Sequence, residues 1–284
     1  MQIIVGKYSG FCKGVSITYQ KALEELKKGP IYCLGKIIHN ELVTESLEKM
    51  KMITINSIKE VENNSRVIFR AHGEPKKTYD YAKEHNIEIV DLTCPKVKLI
   101  HEKVSSEKDN SFIIIIGKKE HPEIIGTSGF AKDYIIVETE EDLKKIEKIV
   151  KNSKKRKIYI ISQTTFSSKK FDIFVEKITK NLNSYEIKID KSICNATEKR
   201  QEECEEISKK ASTMIVIGSK NSSNTRELYD ISNKNCQNVY FVEKVEDLNN
   251  LKYNENDTIG IVAGASTPKF LIDEIVENIV KEGK

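Results

Sequence analysis

The chain has 284 residues, with 47 Lys and Arg against 43 Asp and Glu, a formal charge of +4. Charged residues make up 32% and hydrophobic residues 38%, the composition of a water-soluble globular protein. There is no Trp, no basic stripe interleaved with aromatics, and no apolar run of roughly 18 residues, which argues against a nucleic-acid surface and a membrane span.

The predicted elements alternate between strand and helix. A strand at 2–8 is followed by a helix at 14–28, a strand at 31–36, a helix at 41–50 and a weaker strand at 52–55. Next come a strand at 66–71, a helix at 75–85, a strand at 87–93 and a helix at 95–108. Strands at 112–117, 134–138, 157–163 and 185–190 are separated by helices at 123–130, 140–151 and 168–182. The last third gives helices at 197–211, 225–234, 245–250 and 268–282 around strands at 213–218, 238–242 and 258–263. Continuous apolar runs such as IIIIG and MIVIG suit parallel strands covered on both faces, so the fold class is α/β.

The order repeats. Cys12, Cys94 and Cys194 each follow a strand and open a helix, in SGFCKGV, LTCPKVK and SICNATE. Polar clusters at His39–Asn40, His121-Pro122-Glu123 and Ser222-Ser223-Asn224 lie 27, 27 and 28 residues beyond these cysteines. A second set lies at Ala71-His72-Gly73, Gln163-Thr164-Thr165 and Gly264-Ala265-Ser266. Each unit closes with a strand leading to the next cysteine, except the last, whose missing strand can be supplied by the N-terminal strand. The expectation is three similar parallel α/β units about a pseudo-threefold axis: 12–93, 94–193 and 194–284, with 1–11 completing the third. A single Rossmann-like sheet is the alternative. Because ligands bind beyond the carboxyl ends of parallel strands, three such units facing one axis would gather all these segments at a central cavity.

Lone cysteines are more often small core residues than ligands. Three at equivalent strand-to-helix turns are a different signal. Cys33 lies in the apolar run PIYCLG and reads as core, Cys204 sits on the acidic helix QEECEEIS, and Cys236 falls in a polar loop. With no secretory leader visible at the start, a cytoplasmic location is expected, where thiols stay reduced. Paired C-x₂₋₄-C spacing, usual for structural zinc, does not occur, whereas thiolate ligation suits an iron–sulfur cluster. Three cysteines on a [4Fe–4S] cluster leave one iron open, which favours catalysis over plain electron storage.

His39, His72 and His121 follow strands, and histidine can donate to an anion. Ser222, Ser223, Asn224 and Ser266 precede helices, where hydroxyls and free N–H groups bind phosphate or simply cap the helix. Glu123 is the one carboxylate among the clusters, placing it as a proton donor, with Thr164 as a relay. His85 and His101 lie among charged residues and read as surface.

These motifs together resemble the 4-hydroxy-3-methylbut-2-enyl diphosphate reductases of the non-mevalonate isoprenoid pathway. The resemblance runs end to end through GFCKGV, His39–Asn40, AHG, LTCPKV, HPEIIGT, QTT, ICNAT, GSKNSSNT and AGAST. It implies that Cys12, Cys94 and Cys194 ligate a [4Fe–4S] cluster and that His39, His72, His121, Ser222, Ser223, Asn224 and Ser266 hold the diphosphate. It implies that Glu123, Thr164 and His121 serve proton transfer and that Thr164 also contacts the substrate. A trefoil-like arrangement of the three units, an allylic diphosphate substrate and electrons from a ferredoxin or flavodoxin follow from the same resemblance. Two positions depart from the pattern: Lys118-Lys119-Glu120 precedes His121 and Glu74 follows AHG, which leaves the local loop shapes open. A non-enzymatic iron–sulfur carrier or redox sensor, or a zinc hydrolase, are the rival readings.

Overall fold

The computed structural model describes residues 1–251 and 256–282. In chain order the elements are β1 (Gln2–Val5), α1 (Lys13–Leu26), β2 (Ile31–Leu34), α2 (Glu41–Lys49), β3 (Met52–Ile55), β4 (Arg66–Phe69), α3 (Lys76–Glu84), β5 (Glu88–Asp91) and α4 (Pro95–Glu107). They continue with β6 (Ser111–Ile116), α5 (Pro122–Ser128), β7 (Tyr134–Val137), α6 (Glu140–Asn152), β8 (Lys157–Ser162), α7 (Ser168–Asn181), β9 (Glu186–Ile189) and α8 (Asn195–Ser208). The last are β10 (Thr213–Ile217), α9 (Ser223–Asn235), β11 (Asn238–Val242), β12 (Thr258–Ala263) and α10 (Lys269–Glu282). No helix among the described residues is long and apolar enough to cross a membrane.

The strands form three separate parallel sheets of one design, ordered β5-β4-β2-β3, β9-β8-β6-β7 and β1-β12-β10-β11. The strand that leads to each cysteine is an edge strand in its sheet. As expected from the repeat, the N-terminal strand supplies it for the third sheet, with Gln2 opposite Thr258 and Val5 opposite Ile261. A single continuous sheet is excluded. Two compact units contain these sheets: Met1–Ser16, Ile38–Leu47 and Asn195–Lys284 in one, Ile17–Ile37 and Glu48–Cys194 in the other. The first unit holds the sheet closed by β1; the second holds the other two sheets.

Both faces of the sheets are covered, as the continuous apolar runs required. On β6, Phe112, Ile114 and Ile116 face one core with Phe171 and Phe174 of α7, while Ile113 and Ile115 face another with Ile100, Val104 and Ile124. On β10, Ile215 and Ile217 pack with Leu271 and Ile275 of α10, while Met214 and Val216 pack with Cys204 and Leu228. Each such side chain taken from water contributes about 1.5–3 kcal/mol, so a strand slipped by one residue would exchange the packing partners of both faces.

Several boundaries differ from the sequence reading. The strand expected over 2–8 ends at Val5 because the Glu203 carboxylate accepts the N–H groups of Lys7 and Tyr8, both at 2.9 Å. The helix expected at 245–250 is a 3₁₀ turn, and a further capped 3₁₀ turn occupies Ile58–Glu60. His101 is not a surface residue. It is buried, stacked on Phe130 with ring centroids 4.4 Å apart, and burial pushes its pKa down to about 4. His85 is half-buried and stacks on Tyr81. Cys33 is core as expected, and Cys204 and Cys236 are buried as well, in one cluster of the first unit.

Candidate active site

The three cysteines occupy the same backbone setting. Cys12 donates its N–H to the Ala265 carbonyl at 3.1 Å, Cys94 to Ala71 at 3.0 Å and Cys194 to Thr164 at 2.9 Å. Each acceptor lies just beyond the strand next to the cysteine's own edge strand, so one turn is repeated three times. Each cysteine immediately precedes a helix: α1, α4 and α8. None of the three is in a disulfide, and all are half-buried. At Cys12 the sulfur accepts the Val15 N–H at 3.5 Å, an amide of the first turn of α1. By contrast, burial pushes the thiols of Cys33 and Cys204 up to about 12, which disfavours the thiolate a metal ligand needs. Cys33 and Cys204 are therefore poor metal ligands, whereas the half-buried thiols at the repeated turns have donor chemistry that fits an iron–sulfur group.

In the second unit, α5 carries the acid. His121 caps it, its Nδ1 accepting the Glu123 N–H at 3.2 Å, and Pro122 occupies the first helical position. That hydrogen bond leaves Nε2 to carry the hydrogen of the neutral imidazole ring. Glu123 is 3% exposed, and its carboxylate has two contacts with one residue. The Thr164 N–H donates to Oε1 and the Thr164 hydroxyl to Oε2, both at 2.6 Å. Burial pushes Glu123 up to about 7, with the two Thr164 hydrogen bonds pulling the other way. Since the Thr164 carbonyl also receives the Cys194 N–H, one residue links the acid to a cysteine turn. The His72 ring meets His121 edge to face, centroids 5.4 Å apart.

The loop after β4 is held close to α5. A Cβ on Gly126 would lie 2.9 Å from the Gly73 carbonyl oxygen, so only glycine permits this approach. Glu74, one of the two departures from the family pattern, turns toward Arg70, with Oε1 3.6 Å from Nε. The other, the Lys118 turn, is fixed by the buried Gln163, whose Oε1 accepts the Lys118 N–H at 3.0 Å.

In the first unit, Ser222 caps α9, its hydroxyl accepting the Thr225 N–H at 3.3 Å. Asn224 is 2% exposed; its Oδ1 accepts the Ala265 N–H at 3.0 Å, and its Nδ2 donates to nothing among the described residues. A buried amide donor without an acceptor fits an anionic ligand. Ser223 is buried beside it, and the Ser266 hydroxyl donates to the His39 carbonyl at 3.2 Å. Asn40 caps α2 through the Val43 N–H at 3.1 Å. The unit thus brings together His39 and Ser266, and separately Asn224 and the turn that holds Cys12.

Gln163 and Arg200 were not singled out by sequence reasoning as site residues. Arg200 donates to the Gly10 carbonyl at 2.7 Å and to the Ala196 carbonyl at 2.9 Å, bracing the Cys12 loop against α8. Within EKRQEECEE it looks like one more surface charge; its buried position is what distinguishes it.

A family model described as LytB protein matches residues 3–280. A curated 4-hydroxy-3-methylbut-2-enyl diphosphate reductase of Caldanaerobacter subterraneus subsp. tengcongensis is 38% identical over 98% of this chain and 96% of the relative. The protein of the same name from Clostridioides difficile is 38% identical over 97% of this chain and 98% of its own. Among solved structures, the E-1-hydroxy-2-methyl-but-2-enyl-4-diphosphate reductase of Plasmodium falciparum aligns with a TM-score of 0.88 at 32% identity, over 98% of this chain and 88% of that one. A second, described as (E)-4-hydroxy-3-methyl-but-2-enyl diphosphate reductase, the terminal enzyme of the non-mevalonate pathway, aligns at 0.68 and 34% identity over 99% of both chains.

Proposed function

The chain belongs to the LytB protein family, and from that premise we propose that this oxidoreductase removes the hydroxyl of (E)-4-hydroxy-3-methylbut-2-enyl diphosphate, giving isopentenyl and dimethylallyl diphosphate. The observation that carries the reading is the buried Glu123 carboxyl, paired with Thr164 and pushed up to about 7. An electron carrier or redox sensor has no use for such an acid.

Cys12, Cys94 and Cys194 would hold a [4Fe–4S] cluster. When bound, the cluster would relay two electrons from the external donor, one at a time, and would supply a Lewis-acidic iron. The chain's own residues then manage protons and the diphosphate. When Glu123 is neutral, its carboxyl hydrogen can be donated to the Thr164 hydroxyl, which turns its own hydrogen outward. That arrangement hands a proton on without charging the buried carboxylate until transfer occurs. His121, its Nδ1 engaged by the Glu123 N–H, would assist by donating a hydrogen bond from Nε2. The balance is one substrate hydroxyl, two electrons and two protons in; one water and one allylic or homoallylic diphosphate out.

Asn224 Nδ2, the amides opening α9 and the hydroxyls of Ser222, Ser223 and Ser266 would bind the diphosphate together with His39, His72 and His121. Neutral donors and a helix N-terminus can hold such an anion without a lysine. The electron donor is a ferredoxin or flavodoxin, the location is cytoplasmic, and the repeats run 12–93, 94–193 and 194–284, with 1–11 completing the third.

Anaerobic purification with iron and sulfide analysis tests the cofactor. The brown protein expected contains close to four irons, and serine at any one of the three cysteines lowers that content. A colourless, zinc-loaded protein without reductase activity would overturn the reading.

A further inference from the structure

We propose that the basic cavity beside Cys12 is the docking surface for a small acidic one-electron carrier. This rests on the reading of the chain as an iron–sulfur reductase and names the place where electrons enter. The cavity lies wholly in the first unit and has a volume of about 380 Å³. Lys7, Lys13, Lys199 and Arg200 line it, with no carboxylate among the lining residues. Cys12 lines the same cavity, so a carrier seated there lies beside one of the three thiolate positions.

The charges are presented, not consumed. Lys7, Lys13 and Lys199 are exposed and take part in no ion pair among the described residues. The ammonium groups of Lys7 and Lys199 both lie over the Tyr8 ring, 4.9 and 5.6 Å from its centroid. That places two cations on one aromatic platform. Glu203, a carboxylate beneath this loop, has its two oxygens occupied by the Lys7 and Tyr8 N–H groups. The cavity rim also contains the starts of α1 and α8, whose dipoles add positive potential.

The other two cysteine turns differ. Near Cys94, Lys98 is bound to Asp91 at 2.7 Å, and near Cys194, Lys191 is bound to Asp172 at 3.0 Å. At the Cys12 turn, Lys7 and Lys13 have no ion pair among the described residues, and Lys199 of α8 lines the same cavity. A patch of like charge steers an oppositely charged protein and sets the on-rate more than the final affinity, as a carrier that must arrive and leave requires. Each visit oxidises one carrier by one electron. Two visits and two protons then balance cleavage of the substrate C–O bond and release of water.

The test uses holoenzyme, a reduced acidic ferredoxin and, separately, reduced methyl viologen. For Lys7→Glu with Lys199→Glu, Kd for the ferredoxin, measured by calorimetry at low salt, is expected to rise at least about tenfold. The KM for ferredoxin rises in parallel, the salt dependence of both flattens, and viologen-driven turnover stays within about twofold of the wild type. Lys108→Glu with Lys132→Glu, far along the chain in the second unit, should leave Kd unchanged. An unchanged Kd in the first variant, an equal loss in the second, or equally tight binding of a short DNA duplex at Lys7 and Lys199 would overturn the proposal. Absence of viologen-driven turnover in the wild type would instead count against the reductase reading, and the binding measurement would still decide the docking surface.

Discussion

Glu123 and Glu74 are both buried carboxyls just beyond strands of the second unit, and burial pushes both up to about 7. Their neighbours differ. Glu123 has only neutral donors, the N–H and hydroxyl of Thr164. Glu74 faces the Arg70 guanidinium, which opposes the effect of burial. A carboxyl among neutral donors can exist as the acid near neutrality and give up its proton. A carboxyl beside a cation has its charge already answered, and its role is to brace the loop that follows His72. The same titration range therefore accompanies two different roles, separated by the partner and not by the burial.

The largest expected effect comes from Glu123→Gln, which keeps the shape and removes the proton. Turnover should fall at least about a hundredfold with cluster content unchanged, against less than tenfold for Glu74→Gln. Equal losses would erase the distinction. Glu74→Ala should instead act on stability, by about 1–2 kcal/mol in denaturant unfolding, because it leaves the half-buried Arg70 guanidinium without its carboxylate. An unaltered midpoint would show that the pair braces nothing.

Proton linkage gives a signal spread over pH. In the unfolded chain Glu123 ionises near 4.5, in the folded chain near 7. Between these values the native state holds more protons, so this group's contribution to stability falls as pH rises through the window. Its full extent is on the order of 3 kcal/mol, and Glu123→Gln should flatten that part of the stability–pH curve. The smallest effect is on the kcat/KM profile, which should fall above about pH 7. Thr164→Val removes a hydroxyl that stabilises the carboxylate, so the falling limb should move to higher pH. A downward move would reverse the assigned sign.

Much of this was legible in the sequence. Three cysteines at strand-to-helix turns, with polar clusters at nearly constant offsets, give the repeat, and the repeat gives β1 its place beside β12. Period-2 alternation cannot be seen in FIIII, yet both faces of β6 are buried, so the run itself was the signal. What was not legible depends on long-range partners. His101 lies among charged neighbours in the chain, but its ring meets Phe130 from another element. Arg200 reads as surface charge until its guanidinium is found on the Gly10 carbonyl, 190 positions away. The early end of β1 needed Glu203, which no local pattern connects to Lys7.

The most direct test is anaerobic reduction of (E)-4-hydroxy-3-methylbut-2-enyl diphosphate by reduced methyl viologen, with products identified, using wild type and Glu123→Gln holoenzymes of equal iron content. The expected result is isopentenyl and dimethylallyl diphosphates from the wild type and at least about a hundredfold slower formation from the variant. Equal rates from the two proteins, or no hydroxyl loss by the wild type, would contradict the account.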